Sequence, residues 1–425
     1  MARVISSKMT CAVLLFFLAM SIPSPAQTFN TLVNFAGANG ANPYSGLIQG
    51  SDGNFYGTTS IGGSSSSCFG GCGTVFKITP GGTLTTLYSF SGTDGSFPAA
   101  RLVQANDGNF YGTTSTGGSS TSCFGGCGTV FMITPAGVLT TLHSLVSTEG
   151  NGPNSALLQA ADGDLYGVTS YGGANACIGT PGCGAVFKIT LEGTLKILHS
   201  FDGTDGSNPL GGLIQTASGK FYGTTQFGGA NNACGTDSGC GTIYSMTSGG
   251  AVTTLYSFCV QTGCTDGAVP NSRLVLGPAG RFYGTTYSGG TNNDGTIFAL
   301  SPAGGLRTLH RFIGSDGFDP GELIRGTDGN FYGTTEFGGN FSCPNDCGTI
   351  FKITSQGVLT PVHHFDGNDG SNPIGGLVEA GKGTFYGTAA YGGANGDGTI
   401  FTLSLPRASI PSVKPPAASA DSFQP

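Results

Sequence analysis

One motif, close to Phe-Tyr-Gly-Thr-Thr, occurs seven times along the sequence and constrains the fold more than any other feature. Its seven tyrosines are Tyr56, Tyr111, Tyr166, Tyr222, Tyr283, Tyr332 and Tyr386. Neighbouring copies lie about 55 residues apart, which is typical of a β-propeller blade. The chain is therefore expected to build seven similar sheets.

Each repeat carries the signals of four strands, A to D. A leucine always precedes the motif tyrosine at the same spacing, and a turn such as Asp52-Gly53-Asn54 lies between them. Asp-Gly between apolar runs is a strong hairpin signal, so strands A and B are predicted to be antiparallel. Strand C ends near an aromatic residue such as Phe76, and strand D follows a turn such as Pro80-Gly81-Gly82.

The strand-D segments indicate how the ring closes. Six of them follow a strand C, whereas a seventh, residues 29–35, stands alone near the N-terminus, and the last repeat stops after its strand C. The spare N-terminal strand D and the last strand C find a partner only if they pair with each other in one blade. This pairing also removes a free sheet edge. We predict an all-β, seven-bladed β-propeller with four antiparallel strands per blade and the last blade closed by the N-terminal strand. Strand A, with its small residues, is predicted to be innermost.

The two ends of the chain differ from the repeats. Residues 1–26 combine Arg3 and Lys8 with a short apolar run and a small-residue site before Gln27, which is typical of a signal peptide. Residues 27–405 form the predicted propeller, and residues 406–425 are a Pro/Ala/Ser-rich tail that we expect to be disordered. We expect a secreted, periplasmic or cell-surface protein with no membrane span after signal cleavage.

Cysteine spacing predicts six local disulfides. The pairs are Cys68/Cys72, Cys123/Cys127, Cys177/Cys183, Cys234/Cys240, Cys259/Cys264 and Cys343/Cys347. Zinc is the rival interpretation, but the pairs belong to separate blades and no histidine accompanies them, so we expect no metal and no cofactor. With 9% charged residues and a net charge of -7, the chain offers no electrostatic surface for nucleic acid, and it is expected to be a monomer.

The repeat period, the turn spacing and the permuted ends resemble the GloVer tandem-repeat family over about residues 28 to 404. The resemblance implies a repeated, exported protein and no established activity. The repeat is also distantly similar to the virginiamycin B lyase type of propeller, which implies a histidine, a glutamate and magnesium near the axis. This chain departs from that pattern because it has no tryptophan and no histidine outside strand D.

The loops between strands B and C hold almost all the length variation, so their end of the ring is the candidate working face. Just before these loops, four repeats carry an aromatic residue: Tyr171, Phe227, Phe337 and Tyr391. Together with the non-repeated Glu336 they are predicted to bind a glycan or a peptide. Packing between blades is the alternative interpretation of these rings.

Enzyme activity has weaker support. Four histidines, His143, His199, His310 and His363, share one strand-D position, so they mark a structural position and not a catalytic group. Two acids outside the repeat pattern, Glu336 and Asp164, are not brought together by anything in the sequence. No catalytic residue is therefore assigned, and we expect a binding or structural module, with an extracellular lyase or hydrolase as the alternative.

Overall fold

The computed structural model describes residues 27–177, 180–234, 239–339, 343 and 347–406. The predicted signal peptide and nearly all of the predicted tail lie outside these residues. The described strands form seven sheets that follow one another in a ring, and the prediction of a seven-bladed β-propeller is confirmed. Among the described residues, no helix is long and apolar enough to cross a bilayer.

The inner half of each blade consists of a short strand A and a longer strand B. From blade 1 to blade 7, strand A spans Ile48–Gln49, Val103–Gln104, Leu158–Gln159, Ile214–Gln215, Val275–Leu276, Ile324–Arg325 and Leu377–Glu379. Strand B spans Phe55–Thr59, Phe110–Thr114, Leu165–Thr169, Phe221–Thr225, Phe282–Thr286, Phe331–Phe337 and Thr384–Ala389. Blade 6 has an additional strand, Phe318–Pro320, that pairs with strand B.

The outer half of each blade consists of strands C and D. Strand C spans Thr74–Ile78, Thr129–Ile133, Ala185–Ile189, Thr242–Met246, Thr296–Leu300, Thr349–Ile353 and Thr399–Ser404. Strand D spans Leu84–Ser89, Leu139–Ser144, Leu195–Ser200, Val252–Ser257, Leu306–Arg311 and Leu359–His364 in blades 1 to 6. Two short 3₁₀ turns, Thr262–Cys264 and Pro278–Gly280, complete the described elements.

Blade 7 is closed by the N-terminal strand, Thr28–Asn34, as predicted. This strand pairs antiparallel with Thr399–Ser404, with Phe29 opposite Leu403. The Phe29 ring also lies 5.2 Å from the Phe401 ring, so backbone pairing and side-chain packing join the two ends of the chain. The closure leaves strand C of blade 7 paired on both sides.

The hydrophobic core lies between neighbouring blades. In six of the seven described junctions between blades, the motif tyrosine packs on the phenylalanine of the next strand B, as Tyr56 does on Phe110 with ring centroids 3.9 Å apart. At the seventh, Tyr111 packs with Leu165. The glycine that follows the tyrosine leaves room for the strand-C aromatic residue, because a Cβ on Gly57 would lie 2.6 Å from Phe76 Cζ. The Tyr-Gly step of the repeat therefore serves packing both between blades and within one blade.

The strand-D histidines hold the connection to the next blade. His199 Nε2 lies 2.6 Å from Asp205 Oδ2, and Asp205 Oδ1 accepts the backbone N–H of Asp202 at 3.1 Å. Tyr88 makes the equivalent contact with Asp94 in blade 1. Such side chains therefore brace a turn at the outer edge of blades 1 to 6, far from the ring axis.

Candidate functional site at the ring axis

The end of the ring that carries the B–C loops and the D–A connections is the loop face. All six predicted cysteine pairs are joined as disulfides, and all lie on this face: Cys68–Cys72, Cys123–Cys127, Cys177–Cys183, Cys234–Cys240, Cys259–Cys264 and Cys343–Cys347. Each bridge closes four to six residues of chain. The loops therefore have a fixed shape although they contain many glycines and serines.

The expectation that the cysteine pairs lie in separate blades is wrong for two of them. The B–C loop of blade 4 and the connection from blade 4 to blade 5 bring the sulfurs of Cys234, Cys240, Cys259 and Cys264 within 4.8 Å of one another. The Sγ atoms of Cys234 and Cys259 are 3.3 Å apart. Because the four sulfurs form two disulfides, they are not thiolate ligands for a metal in this structure.

A cavity of about 430 Å³ opens on the ring axis at the loop face. It lies above the start of strand A, where the backbones are crowded: a Cβ on Gly46 would lie 2.0 Å from the carbonyl oxygen of Gly375. This crowding confirms that strand A is innermost. All seven blades contribute to the lining, through Tyr44, Phe97, Asn154, Leu210, Asn271, Glu322 and Ile374 among others.

Three charged side chains line the cavity, each at the position just before the strand-A leucine. Arg101 comes from blade 2 and Glu322 from blade 6, and they face each other across the axis with Arg101 Nη2 donating to Glu322 Oε1 at 3.2 Å. Arg273, from blade 5, is the third. The ion pair joins two blades that lie nearly opposite each other in the ring.

Arg273 differs from Arg101 because no described residue forms a hydrogen bond or an ion pair with its guanidinium. Burial lowers its pKa, and the charge of Glu322 opposes that shift. Two neighbouring lining residues also have unused polar atoms: Ser155 Oγ and Asn271 Oδ1 are buried without a hydrogen-bond partner in the described part of the chain. Since buried polar groups are normally paired, these three groups are available to a bound molecule.

Aromatic side chains form one side of the cavity mouth. The Tyr44 ring lies 6.0 Å from the Phe97 ring and 6.0 Å from the Tyr391 ring, and the hydroxyls of Tyr44 and Tyr391 are hydrogen-bonded to each other. Phe97 and Tyr391 are each 39% exposed, which is unusual for large hydrophobic residues in this chain. A flat ligand ring can therefore stack here while its polar groups reach into the cavity.

Glu336 lies outside the described cavity lining, in a cluster with Asp319 and Tyr287, and its charge contributes to the raised pKa of Tyr44. Burial, together with the nearby charge of Asp319, raises the pKa of Glu336 to about 7. Burial raises the pKa of Asp319 to about 6, although Tyr287 opposes the shift with a hydrogen bond. Asp164, the other acid singled out in the sequence, lies elsewhere, in the A–B turn of blade 3, where it pairs with Lys188. The partner of Glu336 is thus Asp319, which the sequence did not indicate.

The four predicted aromatic residues occupy equivalent positions in four blades and do not share one cavity. Tyr391 contacts Tyr44 at the mouth of the axial cavity. Phe227 lines a second cavity of about 270 Å³ between the loops of blades 3 and 4, and Phe337 stacks on Phe318 at 5.2 Å. Tyr171 pairs with Asn151 through the backbone.

Two more aromatic residues on the loop face were not predicted from the sequence. Phe69 and Phe124 are fully exposed, each inside an identical Cys-Phe-Gly-Gly-Cys loop in blades 1 and 2. The exact duplication of this loop was a usable signal. A signal for the axial charges was also present, because the position before the strand-A leucine varies in charge: Gly46, Arg101, Ala156, Gly212, Arg273, Glu322 and Gly376.

These features define a closed seven-bladed β-propeller with an axial cavity beneath a disulfide-bonded loop face. The chain belongs to the Gloeobacter/Verrucomicrobia repeat family, whose model matches residues 18–236 and 233–415. The GloVer resemblance is thereby confirmed. No curated protein matches the sequence.

Several solved structures have a similar fold. A catalytically inactive virginiamycin B lyase from Staphylococcus aureus with quinupristin is 15% identical, with a TM-score of 0.57 over 89% of this chain and 100% of the lyase chain. The extracellular domain of a hybrid two-component system from B. thetaiotaomicron is 14% identical, with a TM-score of 0.54 over 89% of this chain and 41% of its own. PorZ, a surface component of the type-IX secretion system of Porphyromonas gingivalis, is 14% identical, with a TM-score of 0.52 over 88% and 48%. At these identities the similarity shows the fold alone.

Proposed function

We propose that this protein is an exported binding module that holds a glycan or a peptide in its axial cavity and on the surrounding loop face. The observation that carries the proposal is the cavity itself, which combines aromatic residues at the mouth with unpaired polar groups inside. Its volume lies within the range of small-molecule sites, and a few polar groups in an otherwise apolar lining are typical of them.

Export is the second part of this proposal. Six disulfides within one chain favour an oxidising compartment. The signal-like segment 1–26 supports the same conclusion. The module is proposed to work in the periplasm, at the cell surface or outside the cell.

The proposal is tested with the mature chain, residues 27–425, on arrays of glycans and peptides. Replacing Tyr44 and Phe97 with Ala is expected to weaken binding of the captured ligand at least tenfold, because stacking and desolvation at the mouth are lost. A matched control replaces Val138 and Val358, two exposed residues at the opposite end of the ring, with Ala and should leave binding unchanged. Equal loss in both variants, or none in either, would exclude the cavity as the site.

The aromatic set proposed from the sequence is tested beside it by replacing Tyr171, Phe227, Phe337 and Tyr391 with Ala. If these rings contact the ligand around the loop face, the affinity falls further than with Tyr391→Ala alone. If the two variants bind equally, then Tyr391 alone contributes, through its contact with Tyr44. The other three rings would then serve packing.

A lyase or hydrolase is the second candidate function, and the cluster of two carboxyl groups on the loop face, Glu336 and Asp319, favours it. A general acid or base works best when its pKa lies near the working pH, as the raised pKa values of Glu336 and Asp319 allow. Turnover of any substrate from a panel of esters, lactones and glycosides should then fall at least a hundredfold in Glu336→Gln. Turnover that survives this change would remove Glu336 from the reaction.

A further inference from the structure

We propose that the axial cavity recognises a carboxylate on a saccharide, that is, a uronic-acid unit, through the guanidinium of Arg273. This inference rests on the proposed function, since it names the ligand class of the same cavity. The lining contains two arginines and one glutamate, and one arginine is already neutralised by the Arg101–Glu322 pair.

The remaining positive charge is that of Arg273. In a chain with a net charge of -7, a cavity with a surplus positive charge is a local exception. Among the described residues, nothing pairs with this guanidinium, and a partly buried charge without a partner is unfavourable unless a ligand supplies one. One surplus charge matches one ligand carboxylate, and the planar guanidinium fork fits a carboxylate with two parallel hydrogen bonds.

The groups around Arg273 favour a sugar over a peptide as the carrier of that carboxylate. Asn271 Oδ1 can accept a hydrogen bond and Ser155 Oγ can donate one, as sugar hydroxyls require. The rings of Tyr44 and Phe97 offer a flat apolar surface at the mouth. A peptide bound by strand addition needs a free sheet edge, whereas the crowded strand-A backbones at the axis leave no room for another strand.

Glu322 is predicted to limit the affinity. Its carboxylate faces the same cavity and interacts electrostatically with Arg273. It therefore repels a ligand carboxylate while it neutralises Arg101. Replacing Glu322 with Gln keeps the side-chain shape and removes the competing charge, so binding of an acidic ligand should become tighter.

The experiment uses calorimetry to measure the binding of digalacturonate and of its methyl ester to the mature chain. The pH is 6, where Glu336 is mostly protonated. Digalacturonate is expected to bind at least tenfold more tightly than the ester. Arg273→Gln should lower the affinity for digalacturonate at least tenfold and leave the affinity for the ester unchanged. Glu322→Gln should raise the affinity for digalacturonate several-fold. Arg307→Gln is the matched control, because Arg307 lies in an outer strand, away from the cavity, and donates to the backbone carbonyl of Gln356.

The outcomes separate this inference from the function on which it rests. If Tyr44→Ala weakens a captured ligand but Arg273→Gln does not, the cavity binds ligands and the carboxylate inference is wrong. Absence of digalacturonate binding, or equal binding of acid and ester, also overturns it, and so does preferential binding of triglutamate. The gain expected for Glu322→Gln provides a test that a misfolded variant cannot imitate.

Discussion

At the scale of single residues, burial of Glu336 couples the stability of the protein to pH. Its pKa in the folded chain is about 7, against an ordinary value of 4.5, so the folded state holds this proton more firmly than the unfolded state. The free energy of unfolding should therefore decrease as pH rises through this window and stay reduced above it. Glu336→Gln removes the effect.

We expect Glu336→Gln to be more stable than the parent protein at pH 8 by roughly 1–3 kcal/mol, and equally stable at pH 4. Urea unfolding at both pH values measures this difference. Asp328 supplies a control of opposite sign. Although burial would raise its pKa, hydrogen bonds from Asn330 and Lys352 hold it at about 2. Asp328→Asn should therefore lose stability at pH 8, and a pH-independent effect of Glu336→Gln would contradict the assignment.

The sequence predicted some of these residues and not others, for a physical reason. Glu336 stood out because it alone is acidic at its repeat position, and the structure places it in a partly buried cluster with Asp319. Asp319 and Arg273 did not stand out, because their roles depend on which blades meet across the ring. A repeat alignment shows that a position varies, whereas only the closed ring shows what that position faces.

At the scale of elements, the B–C loops depend on their disulfides. The bridge Cys123–Cys127 closes a short loop that has few apolar contacts of its own. Replacing both cysteines with Ala should lower the free energy of unfolding by about 2 kcal/mol, which is the chain-entropy value for so short a loop.

Urea unfolding of the Cys123→Ala/Cys127→Ala variant measures this loss. Thr121→Ala, an exposed position in the same loop, is the matched control and should stay within about 0.5 kcal/mol of the parent. Equal stability of the two variants would mean that the glycine turns hold the loop without the bridge. In that case the disulfides would serve resistance to proteolysis and not shape.

Blade 6 contains a strand that its sequence did not predict. Its proline, Pro320, lies one residue nearer the strand-A leucine than in the other blades, and this was visible in the sequence. The additional strand Phe318–Pro320 was not predicted. It forms because the shortened connection pairs with strand B at two positions, Phe318 with Phe337 and Pro320 with Thr335. The other blades make a single bridge there, as Ser207 does with Phe227.

At the scale of the whole molecule, the architecture followed from counting strands. The chain begins with a spare strand D and ends with a blade that lacks one. Only a closed ring lets the spare strand complete that last blade. The contents of the axial cavity did not follow, because neighbouring side chains at the axis come from distant parts of the chain. Arg101 and Glu322, for example, are 221 residues apart in sequence.

Ring closure can be tested with a disulfide between the two ends. Asn30 and Thr402 are directly opposite in the closing strand pair, at a Cα separation expected to suit a disulfide. The Asn30→Cys/Thr402→Cys bridge would close a loop of about 370 residues and so restrict the unfolded chain strongly. The matched control is Met132→Cys/Thr140→Cys, which occupies the equivalent position of blade 2 but closes a short loop.

Because the stabilisation grows with loop length, the ring-closing bridge should raise the free energy of unfolding by about 3 kcal/mol more than the control bridge. Urea unfolding with and without reductant measures both effects in the same protein. Equal effects would indicate that the N-terminal strand separates before the ring unfolds, since a loop can constrain the unfolded state only if both ends part in the same transition. A larger effect for the ring-closing bridge would show that the seven blades unfold as one cooperative unit. The axial cavity, to which every blade contributes, would then be lost in the same transition.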